Sequence, residues 1–264
     1  MMFRRWLFKS AAVALVIYGA FVGALFVAQD DILFPVPARN VVVAPDFEAV
    51  VIGGDEGRRL QALYHAVDEP SGTVIFFHGN GSLAADEQAR GRVIAAQNYN
   101  VLLAEYSGYG GSDGQPSGAR LKQDALASFD WVAANIEGRV IVYGSSLGTG
   151  LAVHVAARRS VAALVLEAPY DALVEVAQRH YPWVPVRLLF RNDIAPVHEI
   201  GLLEMPVLIM HGTRDATIPI AHGRTLAAAG GPNVIFEAID GAGHNDMVRA
   251  GSLERALAFL EDLF

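Results

Sequence analysis

A serine hydroxyl becomes a useful nucleophile only when a base removes its proton, and that base needs a partner to hold its tautomer and stabilise its charged form. The chain carries such a set in order. Ser146 sits at the centre of Gly144-Ser145-Ser146-Leu147-Gly148, directly behind the apolar run Arg139-Val140-Ile141-Val142-Tyr143 and ahead of a helical pattern. A serine at the apex of a strand, tight turn and helix is held in a strained backbone geometry with its hydroxyl exposed, and the flanking glycines are needed because side chains there would collide. Asp215 lies just past a later apolar run, in His211-Gly212-Thr213-Arg214-Asp215-Ala216-Thr217-Ile218-Pro219. His244 lies just past the last one, in Gly241-Ala242-Gly243-His244-Asn245-Asp246, where glycines suit a loop that must turn sharply to aim an imidazole. The chemistry this order serves is acyl transfer through a serine nucleophile.

Three other acids compete with Asp215. Asp240 and Asp246 share a loop with His244, and such near neighbours rarely present their side chains face to face; Asp171 follows an earlier strand and is expected to cap the helix after it. Among the remaining histidines, His65, His154, His180, His198 and His222 lack chemical context, whereas His78 and His211 each precede a glycine at a strand end and could brace a loop. Acyl transfer also needs donors for an oxyanion. The backbone NH of Leu147, first in its helix, is one; the other is assigned to Asn80, in the Gly-rich stretch His78-Gly79-Asn80-Gly81. Phosphate binding by that stretch is disfavoured, since no G-x-x-x-x-G-K-[ST] pattern is present. With no cysteine in the chain, a thiol nucleophile, a thiolate metal site and a lipoprotein anchor are excluded, and no cofactor or metal site is expected.

The elements that must position these residues alternate. Two strand-like stretches, Ala49–Ile52 and Leu60–Ala66, flank the turn-forming Gly53-Gly54-Asp55-Glu56-Gly57 and predict an antiparallel pair at a sheet edge. Six near-continuous apolar runs follow: 74–77, 101–104, 140–143, 163–166, 207–210 and 234–238. Helix-length segments separate most of them, at 86–97, 121–135, 147–159, 221–229 and 253–263. That is an α/β pattern, a mostly parallel sheet covered on both faces. The long connection after Leu166 breaks the rhythm and predicts a small cap insertion over 171–200. Its Tyr181, Trp183, Leu188, Leu189 and Phe190 would either line an apolar substrate pocket above Ser146 or pack the insertion onto the body.

The N-terminus differs in kind. Ser10–Ala28 is an uncharged run, and at ~1.5 Å per residue it is long enough to cross a bilayer core of ~30 Å. Arg4, Arg5 and Lys9 precede it and Asp30 and Asp31 follow, which predicts a single-pass anchor with residues 1–9 in the cytoplasm. A connector over 29–40, irregular from Asp31 because of Pro35 and Pro37, then leads to a catalytic domain over 41–264 on the periplasmic or extracellular side. A cleaved signal peptide fits less well, because the run is long and a cut after Ala28 would place Phe26 where a small residue is wanted. Beyond the anchor, 17 Lys and Arg face 28 Asp and Glu, a net charge of −11 that excludes a nucleic-acid partner.

With elbow, acid, histidine and strand order placed, the chain from about Val41 resembles the α/β-hydrolases. Phe77-His78-Gly79-Asn80-Gly81, Glu105-Tyr106-Ser107-Gly108-Tyr109-Gly110-Gly111-Ser112, the cap sequence His180-Tyr181-Pro182-Trp183-Val184-Pro185-Val186-Arg187 and Gly243-His244-Asn245-Asp246 together resemble the Bem46-like group. That group includes membrane-anchored serine hydrolases related to ABHD13 and to the ABHD17 protein depalmitoylases. The resemblance implies Ser146, Asp215 and His244 as a triad and an ester or thioester hydrolase acting on small-molecule or lipid-like acyl substrates. Serine peptidase activity through the same triad and a non-catalytic binding role are the alternatives. Ser107 and Ser82 depart from the group, which often has Arg and Asn there.

Overall fold

The computed structural model describes residues 2–264. Its centre is one eight-stranded sheet: β1 (Glu48–Gly53), β2 (Arg59–His65), β3 (Thr73–Phe77), β4 (Asn100–Ala104), β5 (Val140–Ser145), β6 (Ala163–Glu167), β7 (Val207–Gly212) and β8 (Val234–Ile239), in the spatial order β1-β2-β4-β3-β5-β6-β7-β8. β1 and β2 form the expected antiparallel pair at one edge, β2 runs antiparallel to β4, and every later pairing is parallel. Alternation along each strand divides the core between the two faces. Ile75, Phe77, Val142, Leu164 and Ile209 pack one layer, while Val74, Phe76, Ile141, Val165 and Leu208 pack the other.

The helices cover these layers. α2 (Gln88–Ala95) and α8 (Ser252–Leu263) close the second face through Ile94, Leu253, Ala256 and Leu260, and α3 (Gly118–Asn135) and α4 (Leu147–Ala156) close the first through Leu121, Ala125, Phe129 and Leu151. α7 (Ile220–Ala229) packs on β7 and β8. Ser117 caps α3 by accepting from the Arg120 NH, as a serine at a helix start should. Between β6 and β7 the insertion forms two short helices, α5 (Leu173–His180) and α6 (Val186–Leu189).

The N-terminal helix α1 runs from Met2 to Leu33, further than the sequence predicts, so Asp31–Leu33 are helical rather than irregular. A proline removes its own NH and restricts the residue before it, which leaves Pro35 able to stop the helix only after Leu33. Nor is the stretch after the helix a loose tether. The Phe34 NH still bonds to the Asp30 carbonyl at 2.8 Å, and the Phe34 ring is buried in the main core.

Candidate active site

Ser146 lies between β5 and α4 with φ 50° and ψ −115°, a conformation that costs a non-glycine residue on the order of 1–3 kcal/mol. The glycines around it permit the turn. A Cβ on Gly148 would stand 2.1 Å from the Phe77 carbonyl oxygen, and one on Gly144 would stand 2.5 Å from the Gly148 oxygen. β5 and α4 can cross this closely, and against β3, only with no side chain at either position. The Tyr170 hydroxyl, donating to the Leu147 carbonyl at 3.2 Å, steadies the first turn of α4.

The loops after β7 and β8 bring the other two residues to the serine. His244 Nε2 is 2.9 Å from Ser146 Oγ, and His244 Nδ1 is 2.6 Å from Asp215 Oδ2. With Nδ1–H donating to the carboxylate, Nε2 presents its lone pair to the serine hydroxyl. The Asp215 side chain is fully buried, and its Oδ1 accepts from the NH groups of Thr217 at 2.9 Å and Ile218 at 2.8 Å. Burial by itself would raise its pKa, but hydrogen bonds from His211 and His244 and the backbone donors more than offset that and hold the carboxyl well below the usual range. His211 is the brace that its place at a strand end suggests: Nε2 lies 2.8 Å from the Ile218 carbonyl and 3.4 Å from Asp215 Oδ2.

The competing acids are engaged elsewhere. Asp240 accepts from Thr213 Oγ1 at 3.1 Å, and Asp246 accepts from the Gly243 NH at 2.6 Å and shapes the histidine loop. Asp171 does not cap α5 as expected: Ala172 holds the cap position, and Asp171 Oδ1 accepts from His222 Nδ1 and the Ala172 NH, both at 2.7 Å.

Facing the serine, the loop after β3 carries Gly79, whose Cβ position would be 3.4 Å from that of Ser146, and Asn80, which with Gly79, Ser146 and His244 lines one cleft. Leu147 opens α4, so its NH has no partner within the helix. His78 holds the loop in place. Its Nε2 donates to Glu105 Oε1 at 2.7 Å, and Tyr106 donates its hydroxyl to the His78 carbonyl at 2.8 Å. Burial disfavours the charged imidazole, yet the Glu105 carboxylate outweighs it and raises the His78 pKa.

Glu167, a buried carboxylate at the last position of β6, belongs to no motif in the sequence yet stands beside the serine. Its two oxygens accept from Arg90 Nη1, each at 3.1 Å, and from Tyr143 Oη at 3.0 Å, Ser145 Oγ at 3.1 Å and Ser252 Oγ. Its backbone carbonyl accepts the Ser146 NH at 2.9 Å. Burial would push the Glu167 carboxyl up, but Arg90 and the hydroxyl donors hold it below its ordinary value. A charged residue ending an otherwise apolar strand was the available signal. Ser107 accepts from Arg58, which also reaches the buried Asp124 at 3.0 Å, while the Ser107 NH donates to the other Asp124 oxygen at 2.8 Å.

The cap does not supply the walls of the cleft. Ser82, Glu87, Arg90, Thr217, Asn245, Met247 and Val248 surround Ser146, and none of the residues 171–200 is among them. Tyr181, Val184, Leu189 and Phe190 face α1 instead, across an apolar cavity also lined by Val22, Leu25, Phe26 and Leu33.

The chain belongs to the α/β-hydrolase family. Residues 68–197 match the family described as serine aminopeptidase, S33. An uncharacterized protein of Mycobacterium tuberculosis is 34% identical over 220 residues, 80% of this chain and 77% of that protein. The human α/β-hydrolase domain-containing protein 17B is 35% identical over 199 residues, 71% of this chain and 66% of its own length. Among solved structures, the Pyrococcus furiosus esterase Pf2001 superposes with a TM-score of 0.72 at 20% identity, covering 86% of this chain and 98% of that one. A puromycin-hydrolyzing peptidase of Mycobacterium tuberculosis superposes with a TM-score of 0.66 at 18% identity, over 82% of this chain and 39% of that one.

Proposed function

We propose that this hydrolase cleaves carboxylic esters or thioesters through an acyl-enzyme, with Ser146, His244 and Asp215 as its catalytic residues. The observation that carries the reading is the unbroken relay from a strained serine through His244 to a buried aspartate, at 2.9 and 2.6 Å. Ser146 Oγ attacks the acyl carbon as His244 Nε2 takes its proton. The carbonyl electron pair moves to the oxygen, and the NH groups of Leu147 and Asn80 stabilise that charge. Collapse expels the alcohol or thiol, which takes the proton from His244. Water then repeats the sequence on the acyl-enzyme, releasing the acid and restoring the serine.

The cleft walls refine the substrate. Ser82, Asn80, Thr217 and Asn245 surround the serine with polar groups, and Met247 and Val248 offer only a short apolar strip. A compact or polar acyl group suits these walls better than a fully buried long alkyl chain. The peptidase alternative draws on the printed names of the matching family and of one structural neighbour. An aminopeptidase needs a free carboxylate for the substrate's ammonium group. The two carboxylates in the cleft, Glu87 and Glu167, are both already paired with Arg90, which favours the ester reading.

α1 is the proposed membrane anchor, its N-terminus cytoplasmic and the domain beyond it periplasmic or extracellular; the helix is apolar enough to span over Phe8–Leu33. The first test is Ser146→Ala, expected to abolish p-nitrophenyl ester turnover and fluorophosphonate labelling. Undiminished turnover by the purified variant overturns the assignment, and a folded parent protein that takes no label points to a binding role. A panel of acyl esters against aminoacyl amides separates esterase from peptidase.

A further inference from the structure

The cap and the N-terminal helix form one unit, and the length of that helix says where the unit lies. All described side chains from Phe3 to Phe21 are exposed, and burial against the domain begins only at Val22. The uncharged part of the free segment, Ser10–Phe21, holds 12 residues. At ~1.5 Å per residue it covers about 18 Å, well short of the ~30 Å hydrocarbon core. A spanning helix must therefore extend through the turns at Val22, Leu25 and Phe26, against which the cap is packed.

The contacts there are specific. Tyr18 Oη donates to the Trp183 carbonyl at 2.7 Å, a full turn inside the free segment. Gln29 Nε2 donates to the Leu189 carbonyl at 3.3 Å, and Gln29 Oε1 accepts the Arg191 NH at 2.9 Å. These bonds satisfy cap backbone groups that would otherwise face the level of the bilayer unpaired. Beside them, Leu188 is 85% exposed and Trp183 is 63% exposed. Of the arginines of the cap, Arg187 is paired with Glu175 at 2.9 Å and Arg191 lies 3.6 Å from Asp30, so the exposed Arg179 is the one that faces away from a carboxylate, in a domain otherwise strongly acidic.

On the reading of α1 as a membrane span, we infer that the tip of the cap around Trp183 and Leu188 is itself inserted in the outer leaflet, with Arg179 at the level of anionic headgroups. The occupant of this surface is lipid: the apolar tip continues the apolar surface of the anchor, and the aromatic and basic residues match an interfacial belt.

Because the chain has no cysteine, single cysteines can be placed and labelled with an environment-sensitive nitrobenzoxadiazole fluorophore in the full-length protein. The labelled protein is reconstituted in phosphatidylcholine and phosphatidylglycerol vesicles, with or without lipids brominated high on the acyl chain. Leu188→Cys is expected to show blue-shifted emission that bromolipid quenches strongly, while Glu137→Cys, exposed on a different surface of the domain, is unaffected. Leu15→Cys reports the anchor. If it is quenched while Leu188→Cys behaves like Glu137→Cys, the anchor reading stands and cap insertion is overturned. A blue shift in the labelled Leu188→Cys protein without bromine quenching means a protein contact and likewise overturns it. If Leu15→Cys is unquenched, the anchor reading fails, and the inference with it.

Discussion

At the scale of single residues, the proposed role of Asp215 makes one side chain serve both stability and chemistry. Its depressed pKa has a definite sign: the ionised carboxylate contributes stability that is fully present above the ordinary value of 3.8 and is lost as the pH falls through the lower folded-state value. Asp215→Asn removes that contribution while keeping the shape of the side chain. The variant is therefore expected to melt well below the parent at neutral pH, with the gap narrowing as the pH drops below 3.8. A gap of constant size in melts at neutral and acid pH contradicts this. Its kcat should fall by about 10⁴-fold, because an amide at this position no longer selects the imidazole tautomer that aims a lone pair at Ser146. Loss of activity with the fold retained, checked by circular dichroism, separates the catalytic effect from unfolding.

At the scale of elements, the site depends on how closely β5, α4 and β3 cross. Gly148→Ala would place a methyl 2.1 Å from the Phe77 carbonyl, against backbone rather than a yielding side chain. The expected cost is about 2–3 kcal/mol or more, measurable by chemical denaturation, together with loss of turnover as α4 backs away from the loop after β3. Parent-like stability would show that α4 can shift freely. This part of the site was legible in the sequence because its signals are local: glycines two residues either side of a serine, an apolar run before, a helical pattern after. The convergence of Asp215 and His244 on Ser146 was legible for the same reason, each lying just past its own strand. Glu167 was not, because its significance comes from Arg90 and Ser252, 77 and 85 residues away, converging on one carboxylate. Which of the two readings of the cap holds was not legible either, for a related reason. Over Ser10–Ala28 the helix is apolar all round, so the stripe Val22, Leu25 and Phe26 that meets the cap carries no periodic contrast, and nothing in the sequence distinguishes the side that faces the protein from the rest.

At the scale of the whole molecule, the proposed orientation rests on charge, and packing would make it rigid. The first 28 residues carry three basic side chains and no acidic one, whereas the remainder has a net charge of −11. On the proposed topology, retention of Arg4, Arg5 and Lys9 on the cytoplasmic side would direct the acidic domain outward. Because Phe34 is buried in the domain core and Gln29 is bonded to the cap, translocation would fix the tilt of the sheet over the membrane as well as its side. Alkaline phosphatase fused after Phe264 is therefore expected to be active, since it folds only outside the cytoplasm, while a green fluorescent protein fused at the same place through the same export route stays dark. Replacing Arg4, Arg5 and Lys9 with Glu should reduce phosphatase activity and protect the domain from externally added protease. A parent fusion that is fluorescent and protease-protected places the domain in the cytoplasm, and would shift the search for its substrate to that compartment.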